Sequence, residues 1–316
     1  MFTVANLDVP RLADEEVLIK VHAAGINFAD WMQRAAIYPR LVPTPYVPGY
    51  EVAGVVVATG KAATTLAEGT RVIAMLPMGG GFAEYAVASQ RSIVPLPDAI
   101  SFAAGTALLA QGLTAFILVD KFVAAKRRVL ITAAAGGVGS LALQLARLKG
   151  ATVYGAVGGA EKMELVQEMG GVAIDYSHTN WPDTLLTDDE RFDVVLDAVG
   201  GAVLHAAWSL LKEGGTLVSY GNASRTDLHL SVQRLLELDF TNQALHFFAF
   251  SRHLESDPTL MPRAMKSLFE NALLGKLTLP IGQVYPLSSA EQALHDLVAR
   301  KTTGKVVLVP DTLMAG

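Results

Sequence analysis

The chain has 316 residues, 51% of them apolar and 17% charged, with a net charge of −5 and no cysteine. That length suits two domains, and the apolar share is enough to fill two cores. The acidic balance, with no basic run beyond residues 126–128, argues against nucleic acid or an anionic membrane as a partner. The absence of cysteine excludes disulfides, thiolate nucleophiles and cysteine-ligated zinc. The N-terminal segment is acidic and broken by Pro10, unlike a signal peptide. Apolar runs such as residues 113–119 fall short of the ~20 residues a bilayer span needs, so a cytoplasmic protein is expected.

In chain order, residues 17–23 alternate as a strand does. Residues 50–60 and 84–89 read likewise, separated by Gly/Pro-rich turns such as residues 77–82. The first hundred residues therefore predict a β-rich domain without a long helix. At Ser101, a suitable N-cap, the pattern turns helical through residue 122. From Arg128 strands and helices alternate. Strands are predicted at residues 129–133, 152–157, 172–175, 194–198 and 216–220, and helices between them include 161–169 and 203–211. Such alternation specifies a doubly wound parallel sheet. The tail from about Ser251 is helical and ends in a strand at residues 305–310. These patterns predict a nucleotide domain, residues 108–251, inserted into a β-rich domain made of residues 1–107 and 252–316.

The first strand–turn–helix of the inserted domain carries "TAAAGGVG". Gly136 and Gly139 stand at the second and third positions of a G-x-G-x-x-G turn, Gly137 lies between them, and Ala134 replaces the first glycine. Glycines there permit a tight turn and let pyrophosphate approach backbone N–H groups. Alanine fits the first position if its φ stays negative. Ala135, Gly136, Gly137 and Val138 are the expected phosphate cradle, at the positive end of the following helix. A Gly-rich connection without a ligand is the plainer alternative. An NAD site needs an Asp or Glu near the end of the second strand to bind the ribose 2′-OH. Here Val157, Gly158 and Gly159 occupy that place, and Lys162 follows, a set that suits the 2′-phosphate of NADPH. Glu161 beside it counts against that reading.

Residues 17–56, with "GINFAD" and "PGYE", together with "AAGGVG", resemble the medium-chain dehydrogenase/reductases. Within these the chain is similar to the zinc-free quinone oxidoreductases, the zeta-crystallin and vesicle amine transport protein branch, from about Leu7 to Val309. The resemblance implies an α/β fold: a Rossmann doubly wound parallel sheet inserted in a GroES-like β-rich catalytic domain. Zinc-dependent members carry a cysteine and a histidine where this chain has Asn27 and Tyr50. Those two are poor zinc ligands, so with Glu51 they make no Cys/His/Glu site and no metal is expected. The resemblance further implies that Tyr176 and Arg300 lie near the 2′-phosphate. It implies too that Thr114, Val199, Gly221 and Asn222 line the nicotinamide side, where Phe248 is either a pocket wall or a core aromatic. Typical relatives begin with one more strand and turn than this chain has.

Hydride transfer to an already electrophilic acceptor, a quinone or an α,β-unsaturated ketone, needs no nucleophile or metal. It needs donors for the developing oxyanion. Tyr38 and Tyr50 carry phenolic O–H groups suited to that task, Tyr50 at the vacated ligand position. Asn27 and Asp30 either orient substrate or nicotinamide ribose, or cap the helix that begins there. Water is one source of the proton that follows the hydride. The expected function is therefore a zinc-independent NADPH-dependent quinone or enone reductase. Two alternatives stand beside it: a 2-enoyl thioester reductase, and a nucleotide-binding scaffold with little turnover. A homodimer formed near residues 240–250 is implied by the resemblance.

Overall fold

The computed structural model describes residues 2–39, 41–185 and 191–314. The chain forms two compact units, Met1–Gln111 with Leu279–Gly316, and Gly112–Thr278. The first unit opens with β1 (Glu16–Ile26), α1 (Phe28–Arg34), β2 (Glu51–Thr59), β3 (Arg71–Met75), β4 (Tyr85–Ser89) and β5 (Ile93–Pro95). Next come α2 (Phe102–Thr106) and a π-helical turn (Ala107–Gly112), and α3 (Leu113–Phe122) then opens the second unit. Ser101 Oγ accepts the Ala104 N–H at 3.2 Å, the N-cap predicted from sequence. The three helical pieces join into one run, Phe102–Phe122, 21 residues long. By length and apolarity it matches a bilayer-crossing helix, which the shorter run seen in the sequence did not. Most of its apolar window is buried inside the protein.

The second unit alternates β6 (Arg128–Thr132), α4 (Gly137–Leu148), β7 (Thr152–Val157), α5 (Ala160–Glu168), β8 (Val172–Asp175), β9 (Phe192–Asp197), α6 (Gly201–Ser209) and β10 (Leu211–Ser219). It closes with α7 (Val232–Thr241), β11 (Ala244–Phe247), α8 (Phe250–Ser256) and α9 (Leu260–Leu273). Its six strands pair in the order β11-β10-β9-β6-β7-β8, every pair parallel. Leu130, Val195, Leu217, Phe192 and Trp208 fill its core. Helices on both faces explain why the central strands read as near-continuous apolar runs.

The chain then returns to the first unit through β12 (Ile281–Pro286), α10 (Ala290–Val298), β13 (Lys305–Val309) and α11 (Asp311–Met314). The sheet order there is β12-β13-β1-β2-β3-β5, with β4 also paired to β1. β1 is thus the central strand, antiparallel to β4 along its first half and to β13 along its second. Val17, Ile19, Val21, Val52, Val72, Val306 and Leu308 make the core of this unit.

The second crossing between units falls at residue 279, not at the expected 252. Leu260, Ala264, Met265 and Leu268 form one apolar face of α9, and α9 packs on α3, which holds residues 252–278 in the second unit. Similarly, α6 ends at Ser209 and β10 starts at Leu211, five residues before the predicted strand at 216.

The first unit buries an ion pair. Lys305, the first residue of β13, and Glu51, the first of β2, meet with both side chains 0% exposed. Lys305 Nζ also donates to Ile26 O at 3.2 Å and to Asn27 Oδ1 at 3.1 Å. Glu51 Oε1 accepts from Asn27 Nδ2 at 2.7 Å, and Oε2 accepts the Ala110 N–H of the π turn at 2.8 Å. Only glycine fits at position 25, since a Cβ there would collide with the Glu51 carboxylate and the Lys305 ammonium.

Lys305→Met alone leaves a buried carboxylate without its cation. It is expected to cost about 3–5 kcal/mol in chemical denaturation, and the double variant with Glu51→Gln distinctly less. In α4, a Cβ on Gly139 would drive into the Ala133 carbonyl oxygen. Gly139→Ala is therefore expected to lower stability by about 1–3 kcal/mol, read as a lower Tm.

Candidate active site

In an all-parallel sheet the C-terminal strand ends share one edge, and a ligand binds where the strand order reverses. Here that point lies between β6 and β9. The turn after β6 occupies it. The left-handed residue of this turn is Ala133 (φ +50°), so Ala134 meets the condition that alanine needs in the first position. Ala134 is fully buried and its N–H donates to Ala156 O at 3.3 Å. Ala135 is buried, whereas Gly136, Gly137 and Val138 are partly exposed. Gly136 caps α4 without any side-chain hydrogen bond. The first-turn amides of a 12-residue helix are thereby left for an anion, and the turn fits a dinucleotide pyrophosphate.

On the β7 side of this turn the structure brings Gly158 and Tyr176 together: a Cβ on Gly158 would lie 3.3 Å from the Tyr176 ring. Tyr176 N–H donates to Val157 O at 2.9 Å, and Lys162 sits half-buried in the first turn of α5. An acid that sequence reasoning left out enters here. β8 pairs with β7 so that Asp175 stands opposite Val157. Its Oδ1 accepts the N–H groups of Gly159 at 3.1 Å and Ser177 at 2.8 Å. Partial burial pushes this carboxyl up, but the hydrogen bonds from Ser177 and Gly159 and the nearby His178 outweigh it and hold it below the usual range. The carboxylate is thus engaged with backbone amides that shape the loop.

On the β9 side, Asp197 is buried and accepts from Thr132 Oγ1 at 2.7 Å, Gly200 N–H at 2.9 Å and Val199 N–H at 3.3 Å. This ties the β6 and β9 ends together and places Val199. Gly221 packs on Ala198, and Asn222 holds its own loop through Ser224 and the Thr226 carbonyl. Phe248 follows β11, with its ring 4.8 Å from His253, and Thr114 lies in the first turn of α3. Arg300 belongs to the other unit, in the turn between α10 and β13.

The four predicted catalytic residues all lie in the first unit. Asn27 is the N-cap of α1, and its amide is also drawn into the network of the buried ion pair. Nδ2 donates to Glu51, and Oδ1 accepts from Lys305 and, at 3.5 Å, from Gln111 Nε2. Asp30 takes the capping role in reverse, its Oδ2 accepting the Asn27 N–H at 2.8 Å. Asp30 is 1% exposed and its Oδ1 makes no hydrogen bond of good geometry. Burial pushes its carboxyl up to about 7, although the Asn27 N–H, Lys305 and the Gly49 N–H all act to lower it. Tyr38 and Tyr50 stand with ring centroids 5.9 Å apart. Burial, and then the charge of Asp30, raise the Tyr50 phenol above its ordinary value, with Tyr38 and Tyr46 adding to it. Tyr46 is raised the same way, and its buried Oη has no partner.

Lys305 is the residue that sequence reasoning missed outright. A lysine opening the otherwise apolar strand "KVVLV" was the available signal, since a buried lysine needs an anionic partner. His22 stacks on Phe102, with ring centroids 4.4 Å apart. Among the described residues no three His, Asp or Glu side chains group so as to hold a metal ion.

Residues 13–98 match the alcohol dehydrogenase GroES-like domain, and residues 137–257 match the zinc-binding dehydrogenase domain. The quinone oxidoreductase-like protein 2 homolog of Nematostella vectensis is 34% identical over 94% of this chain and 82% of its own length. The synaptic vesicle membrane protein VAT-1 homolog of Rattus norvegicus is 33% identical over 95% and 78%. The solved structure of Escherichia coli quinone oxidoreductase complexed with NADPH has a TM-score of 0.87 at 29% identity, covering 98% of this chain and 94% of that one. Two domain matches in the same order as the two folded units, with relatives above 30% identity over nearly the whole of this chain, establish the lineage. The chain belongs to the medium-chain dehydrogenase/reductase superfamily, in its quinone oxidoreductase-like branch.

Proposed function

We propose that this protein is an NADPH-dependent oxidoreductase that reduces quinones or α,β-unsaturated ketones without zinc. The observation that carries the reading is the uncapped first turn of α4 at the switch point of the parallel sheet. The NADPH complex of the Escherichia coli relative supports the choice of cofactor. When bound, NADPH supplies a hydride, two electrons at once, to an electrophilic carbon. The α4 amides would hold the pyrophosphate, and Tyr176, beside Gly158, and Lys162, in the first turn of α5, would receive the 2′-phosphate. Asp175, already bound to two backbone amides, shapes this loop instead of accepting a ribose hydroxyl. Tyr50 donates its phenolic proton to the acceptor oxygen as negative charge gathers there, and Tyr38 packs beside it. Zinc independence is supported by Glu51, whose two oxygens are already held by Lys305, Asn27 and Ala110.

The same reading includes a homodimer. Val232, Leu235, Leu236 and Phe240 on α7, and Phe247 on the edge strand β11, are at least half exposed, with Phe240 at 87%. A second copy is the occupant this apolar face suits, because β11 also offers an unpaired strand edge. Phe240→Asp is expected to convert a dimer into a monomer in light scattering, and a monomeric wild type would dismiss the dimer.

Titration calorimetry should give tighter binding of NADPH than of NADH. Lys162→Ala should weaken NADPH by about tenfold and leave NADH nearly unchanged. Equal affinity for the two nucleotides would refute the cofactor assignment. Tyr50→Phe should lower kcat on a quinone and enone panel by about 10²-fold without changing NADPH affinity. Binding without steady NADPH consumption would favour the scaffold reading instead.

A further inference from the structure

The acid at the strand ends of the second unit comes from a neighbouring strand. β8 runs parallel to β7 with Asp175 opposite Val157, and the Tyr176 N–H extends the pairing by donating to Val157 O at 2.9 Å. Asp175 therefore stands beside the place where an NAD-binding sheet carries its acid, the end of the second strand. Its carboxylate is turned elsewhere. Oδ1 accepts the Gly159 N–H at 3.1 Å and the Ser177 N–H at 2.8 Å, and the Ser177 hydroxyl adds a further bond. Oδ2 faces the exposed His178, whose Nε2 is 4.0 Å away.

These bonds reach both halves of the loop. Gly159 is the N-cap of α5, with a left-handed φ of +98° that favours glycine, and no side chain caps the helix. The tether on its N–H therefore fixes where α5 begins, and with it Lys162 in the first turn. Ser177 follows Tyr176, so the second tether fixes the backbone that carries the phenol. Between the two, Gly158 lies against the ring, where a Cβ would sit 3.3 Å from Tyr176 Cε2. One carboxylate oxygen thus holds the glycines, the tyrosine and the lysine-bearing helix start in a single arrangement. A carboxylate aimed at the ribose would instead accept the 2′-OH and repel a phosphate placed there.

We propose that Asp175 is a positioning residue that sets the choice of NADPH over NADH: its bonds to the Gly159 and Ser177 amides hold Gly158, Tyr176 and the start of α5 in the form that receives a 2′-phosphate. The inference rests on the NADPH reading above and adds to it a residue that acts through the loop and not by touching the nucleotide. What matters is the place of the acceptor oxygen and not the charge. An asparagine keeps a carbonyl oxygen at the same reach. A glutamate keeps the charge but carries it one methylene further, past the two amides and towards the ribose.

Calorimetric titration of the full chain with adenosine 2′,5′-bisphosphate and with AMP isolates the 2′-phosphate contribution and needs no turnover. The wild type should bind the bisphosphate more tightly than AMP. Asp175→Ala and Asp175→Glu should each reduce that preference by about tenfold, and Asp175→Asn should keep it within about twofold. A merely structural loss weakens both ligands alike and leaves the preference unchanged; that result in the alanine and glutamate variants would overturn the proposal. So would the pattern expected of charge, in which Asp175→Asn raises the preference and Asp175→Glu keeps it. In the nucleotide-free wild type the Gly159 and Ser177 amides should exchange slowly with deuterium by NMR. Free exchange of both would overturn the proposal even where no variant folds. Equal binding of the two ligands by the wild type would sink the NADPH reading itself. A wild-type preference that survives in every variant would sink the role of Asp175 alone.

Discussion

A buried ammonium must find all its hydrogen bonds inside the protein, and most of the first unit is arranged around that demand. Lys305 takes them from the end of β1, from Asn27 before α1, and from the first residue of β2. Glu51 in turn collects an amide from the π turn. Strand ends and helix starts far apart in sequence are therefore held in one register. Apolar packing alone would tolerate a slip that this network does not. Gly25 is a direct consequence, because no side chain fits beside the pair.

The same pair bears on the surroundings of Asp30, the second carboxyl buried in this unit. With one cation for two buried carboxyls, the carboxyl that makes direct contact keeps the ammonium. The other is left next to phenols in a dry environment. Asn27, drawn from sequence as a residue for substrate or ribose, has both of its amide atoms committed to holding this arrangement.

The second unit works on a different principle. A parallel sheet gathers the C-terminal ends of its strands on one edge. The Asp197 carboxylate ties β6 to β9 there through Thr132. The helix after β6 starts at that edge without a side-chain cap. What the turn recognises is therefore a property of backbone amides. That explains why alanine can replace the first glycine, with the left-handed residue moved to Ala133.

Much of this was legible in the chain itself. Alternation marked β1, and apolar runs bounded by turn residues marked β6 and β7, because these signals depend on local geometry. The glycine turn and the absence of cysteine bounded the cofactor and excluded a thiolate site, since those depend on residue type alone. Short edge elements such as β11 carry too few residues for a pattern to show. The domain boundary at 279 was hidden for another reason: the apolar face of α9 says that it packs, and not on which unit. Only the tertiary structure brought Asp175 across from β8 to Gly159, and Lys305 to Glu51 over 254 residues of chain. Charge pairing at such separation leaves no periodic trace, because it is set by burial and register, which exist only once the sheets have formed.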